Sequence, residues 1–220
     1  MQKKEGAILL DSREIIAKKI AEELHDGDVV NLGVGIPTLV AKYIEERDIY
    51  LQTENGLIGM GPPPEMDNID IDLIDASKSP VTFTPEAAFF DSAFSFGMIR
   101  GGHVDVAVLG TLEVDRYGEI ANWSVPNQPI LGVGGAMDLV AGAKKVVVAG
   151  TLFTKDGSPK LVDKLTLDSS GERKVQQFIT EYANFLFQDG EIIVKEIYGS
   201  LSYEELEERI GLPLKFKIIK

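Results

Sequence analysis

Short apolar runs and amphipathic segments alternate along most of this 220-residue chain. The run Val104–Leu109 is nearly all apolar, which is typical of strands buried on both faces of a sheet. Parallel strands of that kind are joined by helices that cover the two faces. The alternation therefore predicts an α/β fold with an open, largely parallel sheet and helices on both faces, built as a single domain over residues 1–220.

Hydrophobic spacing and turn residues predict the individual elements. Strands are predicted at 29–32, 49–52, 69–74, 104–109, 146–148 and 192–197. Helices are predicted at 10–24, from Pro37 to about residue 46, at 92–99, after the turn at 134–135, and from Ser202 onward. Asp11 with Glu14, and Ser202 with Glu205, have the spacing of helix-capping pairs.

The composition excludes several classes of function. A formal net charge of −13 opposes binding to nucleic acid and to anionic membranes, and any anionic ligand must meet backbone N–H groups or a positively charged partner. The chain has no cysteine, so disulfides and thiolate chemistry are excluded. No apolar run could span a bilayer, and the N-terminal residues lead into too few apolar residues for a secretory signal. The expected location is the cytoplasm.

Glu54 is the best single reactive group in the chain. It follows a predicted strand and precedes the glycine-rich stretch Gly56–Pro62. The segments Asn31–Pro37 and Gly132–Gly135 should reach the same edge of the sheet, which is where open α/β sheets bind ligands. From its own context, Glu54 is equally well a functional carboxylate or a structural one that pairs with an arginine or caps a helix. The Gly33–Gly35 pattern alone indicates only a tight turn into a helix.

Other familiar chemistries lack the residues they require. His25 and His103 form no metal-ligand pattern with their neighbours, so no metal site is predicted. The glycines do not have the spacing of a dinucleotide fingerprint, and the sequence contains no Gly-Lys-Ser/Thr phosphate loop and no Gly-x-Ser-x-Gly elbow. Chemistry based on a carboxylate is what remains.

Five stretches of sequence carry a family resemblance. They are Asn31–Pro37, Thr53–Pro62, Phe96–Asp105, Gly118–Trp123 and Gly134–Val140. The second resembles the Ser-Glu-Asn-Gly signature of the β subunit of family I CoA-transferases. This family includes the succinyl-CoA:3-oxoacid and the acetate/butyrate–acetoacetate enzymes. Order and spacing of the stretches resemble that subunit from about residue 11 to residue 157.

The resemblance implies a fold, a mechanism and a partner. The family fold is an open α/β sheet shared with sugar-phosphate isomerases. The signature glutamate is the family's nucleophile, which implies that Glu54 forms a glutamyl-CoA thioester while CoA moves between an acyl-CoA and a small carboxylic or 3-oxo acid. No bound cofactor is implied, because coenzyme A is a substrate. The active site is implied to lie between this chain and an α subunit of similar size.

The resemblance also assigns supporting residues. The side-chain amide of Asn31 is implied to stabilise the oxyanion that forms at the thioester carbonyl. Backbone N–H groups of the glycine loops are implied to lie near the thioester. The residues implied to contact CoA or substrate are Gly33, Gly35, Asn55, Gly56, Gly134 and Gly135.

The chain departs from the family pattern at three places. Thr53 replaces the commoner serine, Ala149–Phe153 with its Leu152 replaces a Met-Glu-His stretch, and Asp168–Gly171, which begins Asp168-Ser169-Ser170, replaces Pro-Leu-Thr-Gly. These changes leave the identity of the two acids open. Two other functions also stay open: an acyl-CoA hydrolase that uses Glu54 and admits water, and a non-catalytic ligand sensor of related fold.

Overall fold

The computed structural model describes residues 11–44, 46–124, 132 and 134–216. Its helices are α1 (Ser12–Ala21), α2 (Ser92–Arg100), α3 (Ala136–Gly142) and α4 (Tyr203–Ile210), together with 3₁₀ helices at Ile36–Tyr43 and Met66–Asn68. Its strands are β1 (Val29–Leu32), β2 (Tyr50–Thr53), β3 (Leu57–Met60), β4 (Phe83–Phe89), β5 (Val106–Gly110), β6 (Glu113–Asp115), β7 (Ile120–Ala121), β8 (Lys145–Ala149), β9 (Leu161–Val162), β10 (Gln177–Ile179), β11 (Ala183–Gln188), β12 (Glu191–Ile197) and β13 (Leu214–Phe216).

Ten of these strands form one sheet with a parallel centre. The order is β13-β12-β11-β10-β8-β5-β1-β2-β3-β4, and the five strands from β10 to β2 run parallel. On one side β3 and β4 continue the sheet as antiparallel strands, and on the other side β11 and β12 do the same. The predicted parallel sheet is therefore confirmed for the centre, with antiparallel strands added at both flanks. β6, β7 and β9 form a separate small sheet.

Two apolar layers enclose the centre of the large sheet, one on each face. Along β5, Val106 and Val108 belong to the layer that includes α1 and the first 3₁₀ helix. Ala107 and Leu109 belong to the opposite layer, with residues of α2, α3 and α4. Because alternate side chains enter different layers, the whole run is buried, and this explains its nearly continuous apolar sequence. Helices on both faces are confirmed.

Two of the predicted local features are wrong. Residues 69–74 form no strand, because the Asp70 side chain accepts a hydrogen bond from the Asp72 backbone N–H and bends the chain into a turn. Asp11 precedes α1 without a side-chain capping bond, and the Glu14 carboxylate instead accepts hydrogen bonds from Tyr43 and Lys42. Glu14 therefore connects α1 to the helix predicted after Pro37, which the structure shows as a 3₁₀ helix from Ile36 to Tyr43.

The capping box predicted for the last helix is confirmed. The Ser202 hydroxyl accepts from the backbone N–H of Glu205, and the Glu205 carboxylate accepts from the backbone N–H of Ser202. Within the described ranges, no helix has the length and apolar character needed to cross a bilayer.

Candidate active site

Glu54 lies at the carboxyl edge of the parallel strands, in the turn that joins β2 to β3. β1 and β2 are parallel neighbours in which Asn31 stands opposite Gln52, so the Gly33–Gly35 loop and Glu54 leave the sheet side by side. Residues that follow neighbouring parallel strands meet at one edge of a sheet. The predicted meeting of Glu54 with the first glycine loop follows from this register.

The second glycine turn also reaches Glu54. The backbone N–H of Gly135, the residue before α3, lies close enough to the Glu54 carboxylate to lower its pKa. A Cβ atom at Gly135 would lie 2.7 Å from Cδ of Glu54, closer than real Cβ contacts allow. Gly135 is therefore a glycine because the carboxylate occupies the space that a side chain would need.

The surroundings of Glu54 disfavour its charged form. Burial of the half-buried side chain raises the pKa of Glu54 most, the Gly135 N–H lowers it, and the negative charge of Asp138 raises it. Asp138 is in the first turn of α3 and forms an ion pair of 2.7 Å with Arg100. The result is a half-buried carboxylate whose charged form is disfavoured, which suits attack on an electrophile.

The three-residue turn that carries Glu54 depends on Gly56. Its φ angle is +124°, in a region that side chains rarely allow, and its N–H donates to the carbonyl oxygen of Thr53 at 3.0 Å. The carbonyl of Gly56 accepts from the N–H of Phe90 at 2.9 Å. A Cβ atom at this position would overlap the carbonyl oxygen of Phe90. The contacts of Gly56 are thus with the protein itself, and its predicted contact with CoA stays a prediction.

Asn55 supports the same turn from outside. Its Nδ2 donates to the carbonyl oxygen of Ile74 at 2.8 Å, and its Oδ1 accepts from the Thr53 hydroxyl at 2.7 Å. The Thr53 hydroxyl in turn accepts from the backbone N–H of Ala76 at 2.9 Å. These bonds fasten residues 74–76 to the turn. A serine hydroxyl could make the same two hydrogen bonds. The replacement of the family's serine by Thr53 therefore keeps the contacts of this turn.

Asn31 is placed differently from the role that the family resemblance implies. Its side chain is 2% exposed, and its Nδ2 donates to Oε1 of Gln52 at 2.7 Å. Among the described residues, Asn31 Oδ1 has no hydrogen-bond partner. The amide nitrogen that was expected to hold an oxyanion is therefore engaged inside the protein, and the oxyanion role of Asn31 stays a prediction.

Gln52 and Ser95 complete this buried amide network, and sequence reasoning missed both. Gln52 Nε2 donates to Ser95 Oγ at 2.9 Å and to the carbonyl oxygen of Thr53 at 3.2 Å, and both side chains are fully buried. The contact with the Thr53 carbonyl sets the orientation of the Gln52 amide, which then sets that of Asn31. A glutamine two residues before Glu54, in an otherwise apolar strand, was the available signal.

The remaining glycines differ in what they offer a ligand. The N–H of Gly33 donates to the carbonyl oxygen of Val108 at 2.8 Å, so it is engaged within the sheet, and the contact of Gly33 with the thioester stays a prediction. Gly35 has a φ of +96° and Gly134 a φ of +59°, and both have open space where a side chain would stand. Gly132 and Gly134 are described, whereas Val133 and residues 125–131 lie outside the described residues.

Two large apolar side chains stand exposed in the segments that border Glu54. Val34, at the tip of the first glycine loop, is 68% exposed, and Met137, in the first turn of α3, is 41% exposed. Leu57, by contrast, is buried directly after the turn. The edge of the sheet around Glu54 therefore presents apolar surface to the outside of this chain.

The sequence departures at 149–153 and 168–171 serve internal packing. Leu152 is fully buried in the core layer of α2 and α3, and its N–H donates to the Glu181 carboxylate at 2.8 Å. Ser170 is also fully buried, and its hydroxyl exchanges hydrogen bonds with Asn122 next to the small sheet. Neither departure changes a group that contacts Glu54.

Known proteins resemble this chain over most of its length. Residues 13–197 match the family model described as coenzyme A transferase. The chain is 45% identical over 197 residues to one subunit of the succinyl-CoA:3-ketoacid coenzyme A transferase of Helicobacter pylori, covering 90% of this chain and 95% of that protein. It is 46% identical over 189 residues to the acetate CoA-transferase subunit beta of Escherichia coli K12, covering 86% of each.

The fold is shared with a solved acyl-CoA transferase from Escherichia coli O157:H7. The TM-score is 0.76 at 24% identity, over 96% of this chain and 43% of that one, so the present chain spans about two fifths of its length. A family model that matches most of the chain, and relatives at 45% identity over nearly their full length, show that this chain belongs to the coenzyme A transferase family.

Proposed function

We propose that this chain is the β subunit of a two-subunit coenzyme A transferase that moves CoA between an acyl-CoA and a small carboxylic or 3-oxo acid. The observation that carries the proposal is Glu54, a half-buried carboxylate at the carboxyl edge of the sheet that lies against the backbone of Gly135. The relatives are named as single subunits of their enzymes, which supports an α subunit as partner.

In the proposed reaction Glu54 is the nucleophile in the first step, and its carbonyl group is the site of attack in the steps that follow. Its carboxylate attacks the thioester carbonyl, the C–S bond breaks, and CoA leaves as a thiolate while an acyl-glutamyl anhydride forms. The thiolate attacks the Glu54 carbonyl and releases the donor acid, which leaves a glutamyl-CoA thioester. The acceptor carboxylate then displaces CoA, and the returning thiolate forms the new acyl-CoA and frees Glu54.

The environment of Glu54 supports this chemistry. A poorly hydrated carboxylate loses less solvation when it attacks, and burial is the largest cause of the raised pKa of Glu54. Once an acyl or CoA group is attached, the Gly135 N–H remains directed at the Glu54 carbonyl group, where oxyanions develop in the later steps. The proposal requires no metal and no bound cofactor, because coenzyme A is itself the substrate.

The proposed location is the cytoplasm. Acyl-CoA thioesters carry several phosphate charges and do not cross a bilayer unaided, so an enzyme that uses them must share their compartment. Fractionation of cells that produce the tagged chain measures this directly.

Acyl-CoA hydrolysis is the second candidate, and the exposed rim around Glu54 favours it for the isolated chain. Glu54 is itself partly exposed in the isolated chain, so water can reach the carboxylate when no partner covers this edge of the sheet. The two reactions differ in acceptor dependence. A transferase releases little free CoA until a second acid is added, whereas a hydrolase releases CoA continuously.

A trapping experiment tests the proposal. The chain, co-expressed with the α subunit from the same genome, is incubated with succinyl-CoA and no acceptor acid, so that CoA accumulates on Glu54. Borohydride should reduce the thioester and abolish activity, and mass spectrometry should locate the change on the peptide that contains Glu54. The Glu54→Gln variant is the matched control and should carry no adduct. An adduct on another residue would exclude the mechanism.

A further inference from the structure

The edge strand β4 is poorly covered on both of its faces. It ends the strand order beside β3, and none of its seven residues is buried. Phe83 is 55% exposed and Phe89 is 57% exposed, and their rings meet edge to face with centroids 5.4 Å apart. Large apolar side chains that cluster on an exposed surface commonly mark an interface.

A second aromatic pair continues this surface into α2. Phe90 and Phe94 have ring centroids 5.3 Å apart, and Phe94 is 61% exposed at the start of the helix. We name the four rings of Phe83, Phe89, Phe90 and Phe94 the aromatic patch. Rigid aromatic side chains bury large areas at a low cost in conformational entropy, and interfaces use them as anchors for that reason.

A cavity of about 190 Å³ joins the two aromatic pairs. Its walls include Phe89 and Phe90 together with the aliphatic side chains of Leu57, Leu73 and Ile74. Pockets that hold small-molecule ligands are usually larger, roughly 300 Å³ or more. The cavity has instead the size of one side chain from another protein, and its lining is mixed, because Asn55 and Asp72 lie beside the phenylalanines and the aliphatic residues.

The aromatic patch is attached directly to the turn that carries Glu54. Phe90 donates its N–H to the Gly56 carbonyl at 2.9 Å, and Asn55 donates to the Ile74 carbonyl at 2.8 Å. Asn55, Gly56 and Leu57 also line the cavity. A protein bound at the aromatic patch would therefore contact Asn55 and Gly56 in the turn that carries Glu54.

We propose that the aromatic patch and its cavity are the docking surface for the α subunit, an inference that rests on the proposed function. The relatives at 45–46% identity are named as one subunit of a larger enzyme. The solved acyl-CoA transferase that shares this fold is more than twice as long as the part this chain covers, so its single chain holds further protein beside the shared fold. The aromatic patch adjoins the catalytic turn, which is where a second half must reach in order to complete the site.

Charge and strand chemistry disfavour a second copy of this chain as the occupant. Pro85 and Glu86 lie in the middle of β4, where a missing N–H and a charge oppose pairing with another strand edge. The neighbouring residues 61–77 carry five carboxylates and no lysine or arginine. Two copies would bring these charges together, whereas a partner with basic residues around an apolar anchor would complement them.

The test measures binding of the α subunit, cloned from the same genome, by isothermal titration calorimetry. The Phe89→Glu and Phe94→Glu variants should each bind roughly 30-fold or more weakly than the wild-type chain, the loss expected at an interface anchor. Phe216→Glu is the matched control, since Phe216 is 53% exposed on β13 at the opposite edge of the sheet, and its affinity should be unchanged. Phe83→Ala, a milder change at an exposed ring, should weaken binding with no loss of thermal stability.

The outcomes separate this surface from the proposed function. Wild-type affinity in the Phe89→Glu and Phe94→Glu variants would overturn the docking surface, while the Glu54 adduct would still support the transferase. Loss of self-association with unchanged binding of the α subunit would overturn it too, in favour of a second copy. If the wild-type chain binds no α subunit and also gives no Glu54 adduct, the proposed function fails as well.

Discussion

The strands β5 and β4 belong to one sheet and differ in what covers them. In β5, Val106–Leu109 are buried between two helical layers, whereas β4 has no buried residue and carries exposed phenylalanines. The centre of the sheet therefore obtains its stability within this chain. The antiparallel strands β3 and β4, which we name the outer hairpin, follow the turn that carries Glu54 and leave apolar surface uncovered. Fold stability and chemistry are thus placed in different parts of the sheet, and substitutions should separate them.

The largest expected effect is the loss of activity in Glu54→Ala without loss of the fold. Removal of a nucleophile costs roughly 10⁴-fold or more in kcat. The side chain is half-buried and its pKa is raised by burial, so its removal does not destabilise the protein at neutral pH. Turnover of the co-expressed complex and thermal melting of the chain measure both parts. Near-normal turnover of Glu54→Ala would show that Glu54 is not the nucleophile.

The next effect concerns stability and uses one residue type in both regions. Phe178→Ala removes a fully buried ring next to the sheet centre and should lower the free energy of unfolding by roughly 3–5 kcal/mol. Phe89→Ala in the outer hairpin should change it by less than about 1 kcal/mol, because the ring is already 57% exposed. Urea unfolding of the isolated chain compares the two. Equal losses would show that the hairpin is stabilised like the centre.

A smaller loss of activity is expected from a change at the contact between Gly135 and Glu54. Gly135→Ala places a Cβ atom 2.7 Å from Cδ of Glu54, so the carboxylate must move. Displacement of a nucleophile by about 1 Å lowers kcat by roughly 10²-fold. Gly135 has αR backbone angles, which alanine adopts without strain. Gly97→Ala in α2, where nothing lies within 4 Å, is the control and should keep full activity.

The smallest expected effect is a pH-dependent gain of stability in Glu54→Gln. The folded-state pKa of Glu54 is raised above its ordinary value of 4.5, so ionisation of Glu54 destabilises the fold once the pH rises through the raised value. The neutral glutamine avoids this cost. The variant should unfold at a higher urea concentration than the wild type at pH 7, and the difference should shrink as the pH falls through the raised pKa. A constant difference at all pH values would contradict the assigned cause.

The centre of the fold could be predicted from sequence because its signal is local. Val104–Leu109 and Val146–Val148 are apolar runs whose only favourable place is a strand covered on both faces. The outer hairpin gave no such signal. Phe83–Phe89 alternates poorly and contains Pro85, since β4 has no covered face to which its side chains must be matched. The error at 69–74 has the same origin, because alternating Ile and Asp residues in an exposed turn resemble a half-buried strand.

The sequence predicted which segments would meet at the candidate site. It did not predict which residues in those segments would contact each other. Strand ends and glycine turns indicated that Glu54 would meet the Gly132–Gly135 turn, and the family resemblance identified the glutamate. The close approach of Gly135 to the Glu54 carboxylate brings together residues 81 positions apart, and only the sheet topology determines it. The engagement of Asn31 by Gln52 depends on the register of β1 against β2, which no pattern in either strand specifies.

The conformation of Gly56 has a consequence at the level of the gene. Every missense change in a glycine codon adds a Cβ atom, and at this position that atom would overlap the Phe90 carbonyl and meet a backbone with φ of +124°. No single amino-acid replacement at position 56 is therefore small, in contrast to the exposed residues of β4. In a saturation library selected for growth on the transferase reaction, we expect synonymous codons alone to survive at position 56.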